Sequence, residues 1–234
     1  MTHTTPLSSM PSPLKAALID MDGTLYDSMP NHARAWLKMV TEAGMKATFE
    51  EFFLYEGRTG ASTIDLLMQR ERHRHATDQE KRDLYHLKTV YFAEQAPVNV
   101  MPGAPAMIRE LLDAGVTTVL VTGSGQNTLL NRLEADYPGA FPPERRITSR
   151  DVTHGKPDPE PYLKALALAG VEPHEAIVVE NAPLGVEAGH RAGVYTVAVC
   201  TGPIPAKAMW DAGADAVFAS MTEFAEALGQ ALKR

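Results

Sequence analysis

The stretch AALIDMDGTLYDS, Ala16 to Ser28, begins as a short apolar run and then delivers two acids, Asp20 and Asp22, followed at once by Gly23. An apolar run bounded by turn residues reads as a buried strand. Its acids then stand at the carboxyl end, where open α/β sheets place their ligands. Side chains alternate in direction only while the strand lasts, and Gly23 supplies a turn that bends Asp22 back over the same site.

Working outward, similar runs occur at TTVLVT (117–122), AIVVE (176–180), YTVAVC (195–200) and AVF (216–218), with amphipathic helical stretches between most of them. That alternation predicts an α/β fold, a Rossmann-like doubly wound parallel sheet covered by helices on both faces. Between the first two strands, however, a long interval holds no convincing strand. Its segments NHARAWLKMVTEAG, GASTIDLLMQRERHRH and DQEKRDLYHLKTVYFAEQ carry apolar residues at three- and four-residue spacing, so 30–98 is expected to be an inserted α-helical cap domain. The core is then 14–29 and 99–234. PVNVMPGA brings the chain back to it, and Pro102 and Gly103 mark the start of a helix through APAMIRELLDAG.

Composition sets the class. Of 234 residues, 44% are apolar and 22% charged, ordinary for a globular protein with a full core. The formal net charge of -7 argues against a general nucleic-acid surface, and the single cysteine, Cys200, has no partner for an internal disulfide. Residues 1–13, MTHTTPLSSMPSP, read as a loose tail and not as a secretion signal, and no apolar run reaches membrane-spanning length. A cytoplasmic protein, monomeric or weakly dimeric, is expected. The basic patch RERHRH, Arg70 to His75, could hold phosphate or metal, but reads better as the cationic end of a polar helix.

Three further strand ends or loops bear chemistry. In VLVTGSGQ, Thr122 follows a β-run, and Gly123, Ser124 and Gly125 lead toward a helix, an arrangement that is either an anion cradle or a plain turn. In HGKPDPEPYLKALALAG, Pro157 and Pro159 stiffen the presentation of Lys156. In EAIVVENAPLGVEAG, a strand ends on Glu180 and then on an amide, Asn181. Each is modest alone; the ordered set is specific.

That set resembles the haloacid dehalogenase-like superfamily, within it the β-phosphoglucomutase-like branch, from Lys15 to the C-terminus with the helical insertion matching the family's cap. The motifs YEGRTGASTI, MPGA, VTGSGQ, GKPDPEPYL, ENAPLGVEAGHRAG, CTGPIP and DAGAD are similar to a bacterial inorganic pyrophosphatase of that branch. The resemblance implies that Asp20 attacks phosphorus to form an aspartyl phosphate and that Asp22 serves as acid and then base, with a pKa near working pH. Thr122 and the Gly123 N–H, with Ser124 beside them, would hold the transferring oxygens, and Lys156 would neutralise nucleophile and phosphoryl group. It also implies Mg²⁺ on the Asp20 carboxylate, the Asp22 carbonyl and Asn181, with Glu180 reached directly or through water.

Asn181 departs from the family's usual Asp. An amide still ligates but lacks charge, and a unit charge at ~4 Å is worth about 4 kcal/mol at an effective dielectric of ~20, which matters for a polyanionic substrate. Cap closure is expected to return that charge by bringing Glu56 to the metal and Arg58 to a distal phosphate, although Glu56 also reads as an exposed loop acid. His32 would lie near the leaving group and Lys88 would be a cap cation. The expected function is therefore Mg²⁺-dependent phosphohydrolysis of a small, highly charged phosphate, inorganic pyrophosphate first. The alternative is a β-phosphoglucomutase or small sugar-phosphate phosphatase using the same core chemistry.

Overall fold

The computed structural model describes residues 7–125 and 127–233. Its elements run β1 (Ala16–Ile19), α1 (Met29–Glu42), α2 (Glu51–Leu54), α3 (Gly60–Arg72), α4 (Asp78–Ala93), α5 (Ala104–Asp113), β2 (Thr117–Val121), α6 (Asn127–Leu130) and α7 (Leu133–Asp136). They continue β3 (Arg146–Ile147), α8 (Glu160–Ala169), β4 (Ala176–Glu180), α9 (Pro183–Arg191), β5 (Tyr195–Val199), α10 (Ala206–Asp211), β6 (Ala216–Phe218) and α11 (Met221–Leu232).

The strands form one six-stranded sheet in the order β3-β2-β1-β4-β5-β6, every pair parallel. The chain winds outward from β1 in one direction and then, after β3, in the other. The reversal leaves a crevice beside β1 and β4 at their carboxyl ends. Register brings Ile19 opposite both Leu120 and Val179, so the residues that follow, Asp20, Val121 and Glu180, emerge side by side.

Alternation along β1 explains why both faces are covered. Ala16 and Leu18 point with Val119, Val121 and Val178 into a cluster closed by Tyr162 and Leu166 of α8 and Ala188 of α9. Ala17 and Ile19 belong to the opposite cluster, with Leu120, Ile177 and Val179, closed by Leu111 of α5 and Leu228 of α11. Fully burying such aliphatic side chains contributes about 1.5–3 kcal/mol each, so a four-residue strand buried on both faces is anchored firmly despite its length.

The interval expected to be helical holds α1 to α4. Trp36 stacks on Phe52 at 6.1 Å and leans on Tyr85, tying α1, α2 and α4 together. Thr59 and Thr77 cap the N-termini of α3 and α4, the latter with a full capping box to Glu80. The basic run ends α3, with His73 in a left-handed C-cap; Arg70 and Arg72 donate to the carbonyls of Lys46 and Ala43. These arginines tie the bundle together, as a cationic helix end does.

Two expectations change. The N-terminal segment is not loose throughout, because Leu7–Ser9 form a helical turn with Leu7 buried in the larger cluster; residues 1–6 lie outside the described residues. The sheet also gains β3, two residues long and bordered by Arg146, which carries no alternation to read. Among the described residues no helix is long and apolar enough to cross a membrane.

Candidate active site

Asp20 follows β1 directly, its N–H donating to the Val179 carbonyl at 3.1 Å, and is almost fully buried. One carboxylate oxygen, Oδ1, accepts from Lys156 Nζ at 2.6 Å; the other, Oδ2, is buried without a partner. Lys156 also donates to the Val121 carbonyl at 3.0 Å and meets Glu180 Oε1 at 2.6 Å. Burial would lower this ammonium's pKa, but Asp20 and Glu180 outweigh it and hold the group protonated. For Asp20 burial is the largest influence, and with Glu180 it carries the carboxyl up to about 8 against the pull of Lys156.

Gly23 makes the turn after Asp22 with φ 81°, and a Cβ there would lie 2.0 Å from Asn181 Nδ2 and 2.8 Å from Glu56 Oε1. Only glycine lets the loop, the β4 end and the cap meet. Asp22 Oδ1 accepts from Ser28 at 2.7 Å and from His32 Nε2 at 2.9 Å. Lys88 Nζ stands 2.6 Å from His32 Nδ1; with the ammonium as donor, the ring is neutral and its proton is on Nε2, facing Asp22.

The pKa of Asp22 is not near working pH as expected. Burial alone would raise it, but His32 and Ser28 hold it below the ordinary carboxylate value. Burial lowers His32, and brings Lys88 down to about 7.

Thr122 follows β2, and its Oγ1 accepts from the Ser124 N–H at 3.0 Å. The loop is a seat for the cap. A Cβ on Gly123 would come within 2.6 Å of the Gly57 carbonyl, and the Gly125 N–H donates to the Tyr85 hydroxyl at 3.2 Å. Glu56 comes down on the same side, buried, with Oε1 accepting from Asn181 Nδ2 at 2.8 Å, so it is not an exposed loop acid. Burial, then Asp20, push its pKa well above the ordinary value. Arg58 donates to Ser62 at 3.1 Å, while its Nε is buried without a partner.

A cavity of about 60 Å³ gathers Asp20, Asp22, His32, Glu56, Arg58, Lys88, Thr122, Gly123 and Ser124 in its wall, with Trp36 and Tyr85. Lys156, Glu180 and Asn181 touch these residues from outside that lining. Glu180 differs from expectation: Oε1 faces Lys156 and the Tyr162 hydroxyl, and Oε2 accepts from the Asn181 N–H, so one oxygen orients Lys156 and the other holds the loop after β4. Ser28, Tyr85 and Tyr162 were not anticipated. A signal for Tyr85 existed, since it precedes Lys88 by one helical turn.

The haloacid dehalogenase-like hydrolase family matches residues 14–193. The chain belongs to that family. Within the family it is similar to Hexitol phosphatase A of Escherichia coli, 32% identical over 79% of this chain and 82% of that one. It is also similar to the β-phosphoglucomutase of Bacillus subtilis, 24% identical over 81% and 84%. Among solved structures, a putative β-phosphoglucomutase from Bacteroides vulgatus is 46% identical with a TM-score of 0.89, covering 94% of this chain and 91% of that one. These likenesses place this haloacid dehalogenase-like hydrolase in the β-phosphoglucomutase-like branch.

The donor set fits a divalent cation. Among the described residues no three His, Cys, Asp or Glu side chains form a ready metal-holding group. The fit rests instead on mixed oxygen donors: the buried, incompletely partnered Asp20 carboxylate, with Glu56 and Asn181 hydrogen-bonded together beside the same turn. Asp20, Asp22, Glu56 and Glu180 bring four buried carboxyl groups together against the buried amines of Lys88 and Lys156, and added positive charge would favour the ionised forms of Asp20 and Glu56.

Proposed function

We propose that the protein is a Mg²⁺-dependent phosphatase that releases phosphate from a small sugar or polyol phosphate through an aspartyl-phosphate intermediate. The observation that carries this reading is Asp20 itself: buried, clamped through Oδ1 by Lys156, and left with Oδ2 free of partners beside a cavity bearing cations from the cap. The similarity to Hexitol phosphatase A supports the substrate class.

Asp20 Oδ2 attacks phosphorus while the bond to the leaving oxygen breaks, and Asp22, depressed at rest but drawn to take up a proton by the phosphate anion bound beside it, gives that oxygen the proton. Both hydrogen bonds to Asp22 end on Oδ1, so the travelling proton belongs on Oδ2. Water then attacks the phosphorus of the intermediate, Asp22 takes its proton, and free phosphate and Asp20 are regenerated. Thr122 and the Gly123 N–H hold the phosphoryl oxygens, Lys156 offsets their charge, and Arg58 and Lys88 receive the anion from the cap. Mg²⁺, when bound, would supply further charge stabilisation; the Asp20 carboxylate through the oxygen that does not attack, the Asp22 carbonyl and Asn181 would hold it, with Glu56 in reach.

A second reading, hydrolysis of inorganic pyrophosphate, is favoured by the two cap cations, Arg58 and Lys88, that share the cavity wall with Asp20. The experiment is phosphate release from hexitol phosphates, hexose phosphates and pyrophosphate, with and without Mg²⁺, alongside interconversion of glucose 1- and 6-phosphates. Preference for pyrophosphate by tenfold or more in kcat/KM replaces the first reading with the second. Isomer interconversion without phosphate release replaces both with a mutase, and activity insensitive to Mg²⁺ removes the cation.

A further inference from the structure

Glu56 lines two cavities. The first is the substrate cavity, in which it stands with Asp20, Arg58 and Lys88. The second, of about 190 Å³, is bounded by Asp27, Phe53, Asn181, Thr201, Gly202 and Ile204 as well as Glu56. The 2.8 Å hydrogen bond from Asn181 to Glu56 therefore stands between them. No side chain fits at Gly23, where a Cβ would run into both partners of that bond.

Charge separates the two spaces. Arg58 and Lys88 make the first attractive to an anion. Among the described residues the second has no Lys or Arg in its wall, and its ionisable groups are Asp27 and Glu56. Asp27 and Gly202 are exposed, so this space opens to solvent away from the cap cations. It is also roomy: at a liquid share of about 30 Å³ per water it holds about six waters. Mg²⁺ gives up its water reluctantly, and a passage for it has to accept the hydrated ion.

We infer that this second cavity is a port by which the hydrated divalent cation reaches and leaves the Asp20 site, past Glu56 and Asn181, while an anion occupies the substrate cavity. The inference rests on the divalent-cation reading of the preceding section. It separates two traffic routes by sign, the anion entering under the cap and the cation from the Asp27 side, so the cation can exchange without cap opening.

Mn²⁺ is the probe, its release followed by rapid mixing of the full chain with excess EDTA, with and without saturating inorganic phosphate. In the parent protein the release rate is expected to change less than twofold when phosphate is present. Gly202→Leu should fill the port, because a Cβ at 202 meets Phe53 only at 3.6 Å and is accommodated. With phosphate bound, this variant is expected to release Mn²⁺ at least fivefold more slowly, with equilibrium Mn²⁺ and phosphate affinities within twofold of the parent.

Asp27→Lys, a change at an exposed position, supplies a second test through association: Mn²⁺ binding should slow at least threefold. Strong slowing of parent release by phosphate, or rates in both variants equal to the parent's, overturns the port while leaving the metal reading intact. A parent protein that binds no Mn²⁺ in equilibrium titration overturns the metal reading and the port with it.

Discussion

The carboxyl edge of the sheet and the facing loop of the cap hold their charges in different ways. At the edge, Asp20, Thr122 and Glu180 are placed by backbone register, and Lys156 is fixed by Asp20, Glu180 and the Val121 carbonyl. On the cap, Glu56 and Arg58 sit on a loop seated by close approach to Gly23 and Gly123, and Arg58 Nε has no partner. The edge is over-determined and suited to one fixed chemistry, whereas the cap meets it through a loop and is suited to choosing what enters. Binding sites built on loops over a rigid sheet follow this division of labour.

The largest expected effect tests the edge. Asp20→Asn should lower kcat by on the order of 10⁴-fold or more while preserving the fold, because an amide cannot take up phosphorus. Phosphate release near the parent rate would break the assignment. Lys156→Met is next. It leaves Asp20 and Glu180 buried without their cation and should cost about 3–5 kcal/mol in urea unfolding; a loss below about 1 kcal/mol would mean the edge is not held by this pair.

Lys88 tests the cap through pH. In the unfolded chain it stays protonated up to about 10.5, but in the folded protein only to about 7. Across that window the unfolded chain binds more protons, so this residue makes stability rise with pH, with its full penalty at and below neutrality. Lys88→Met should then be more stable than the parent at pH 7 by about 1–4 kcal/mol, the advantage shrinking toward pH 10 as urea midpoints are compared. A pH-independent difference would contradict the burial argument.

Smaller effects sharpen the contrast. Glu56→Ala should raise the Mg²⁺ concentration for half-maximal rate about tenfold, close to 1.4 kcal/mol, with kcat at saturating Mg²⁺ affected less; an unchanged Mg²⁺ titration would remove Glu56 from the site. Tyr85→Phe deletes the hydroxyl that accepts from Gly125 and should raise KM by a few-fold, about 1 kcal/mol, at nearly constant kcat. An equal fall in kcat would make Tyr85 part of the chemistry and not of the seat.

The edge was largely legible beforehand because strand ends announce themselves locally. An apolar run, an acid and a glycine are contiguous in AALIDMDGTLYDS, and the structure brings Asp20, Thr122, Lys156 and Glu180 together at the ends of β1, β2 and β4. The role expected for Glu180 was less legible, since its engagement by Lys156 and Tyr162 depends on α8 crossing beneath the site. Likewise the depressed pKa of Asp22 required knowing that Ser28 and His32 both point at Oδ1.

By itself the sequence determined the α/β alternation, the helical insertion and the acids at the first strand end, because period, turn residues and strand termini are properties of neighbouring residues. Only the tertiary structure decided that Glu56 is buried on Asn181, that Tyr85 closes on Gly125, and that a second cavity opens beside Asp27. Those outcomes depend on how closely cap and core backbones approach, a distance set by packing across the whole insertion and by glycines whose necessity appears only once the two surfaces meet.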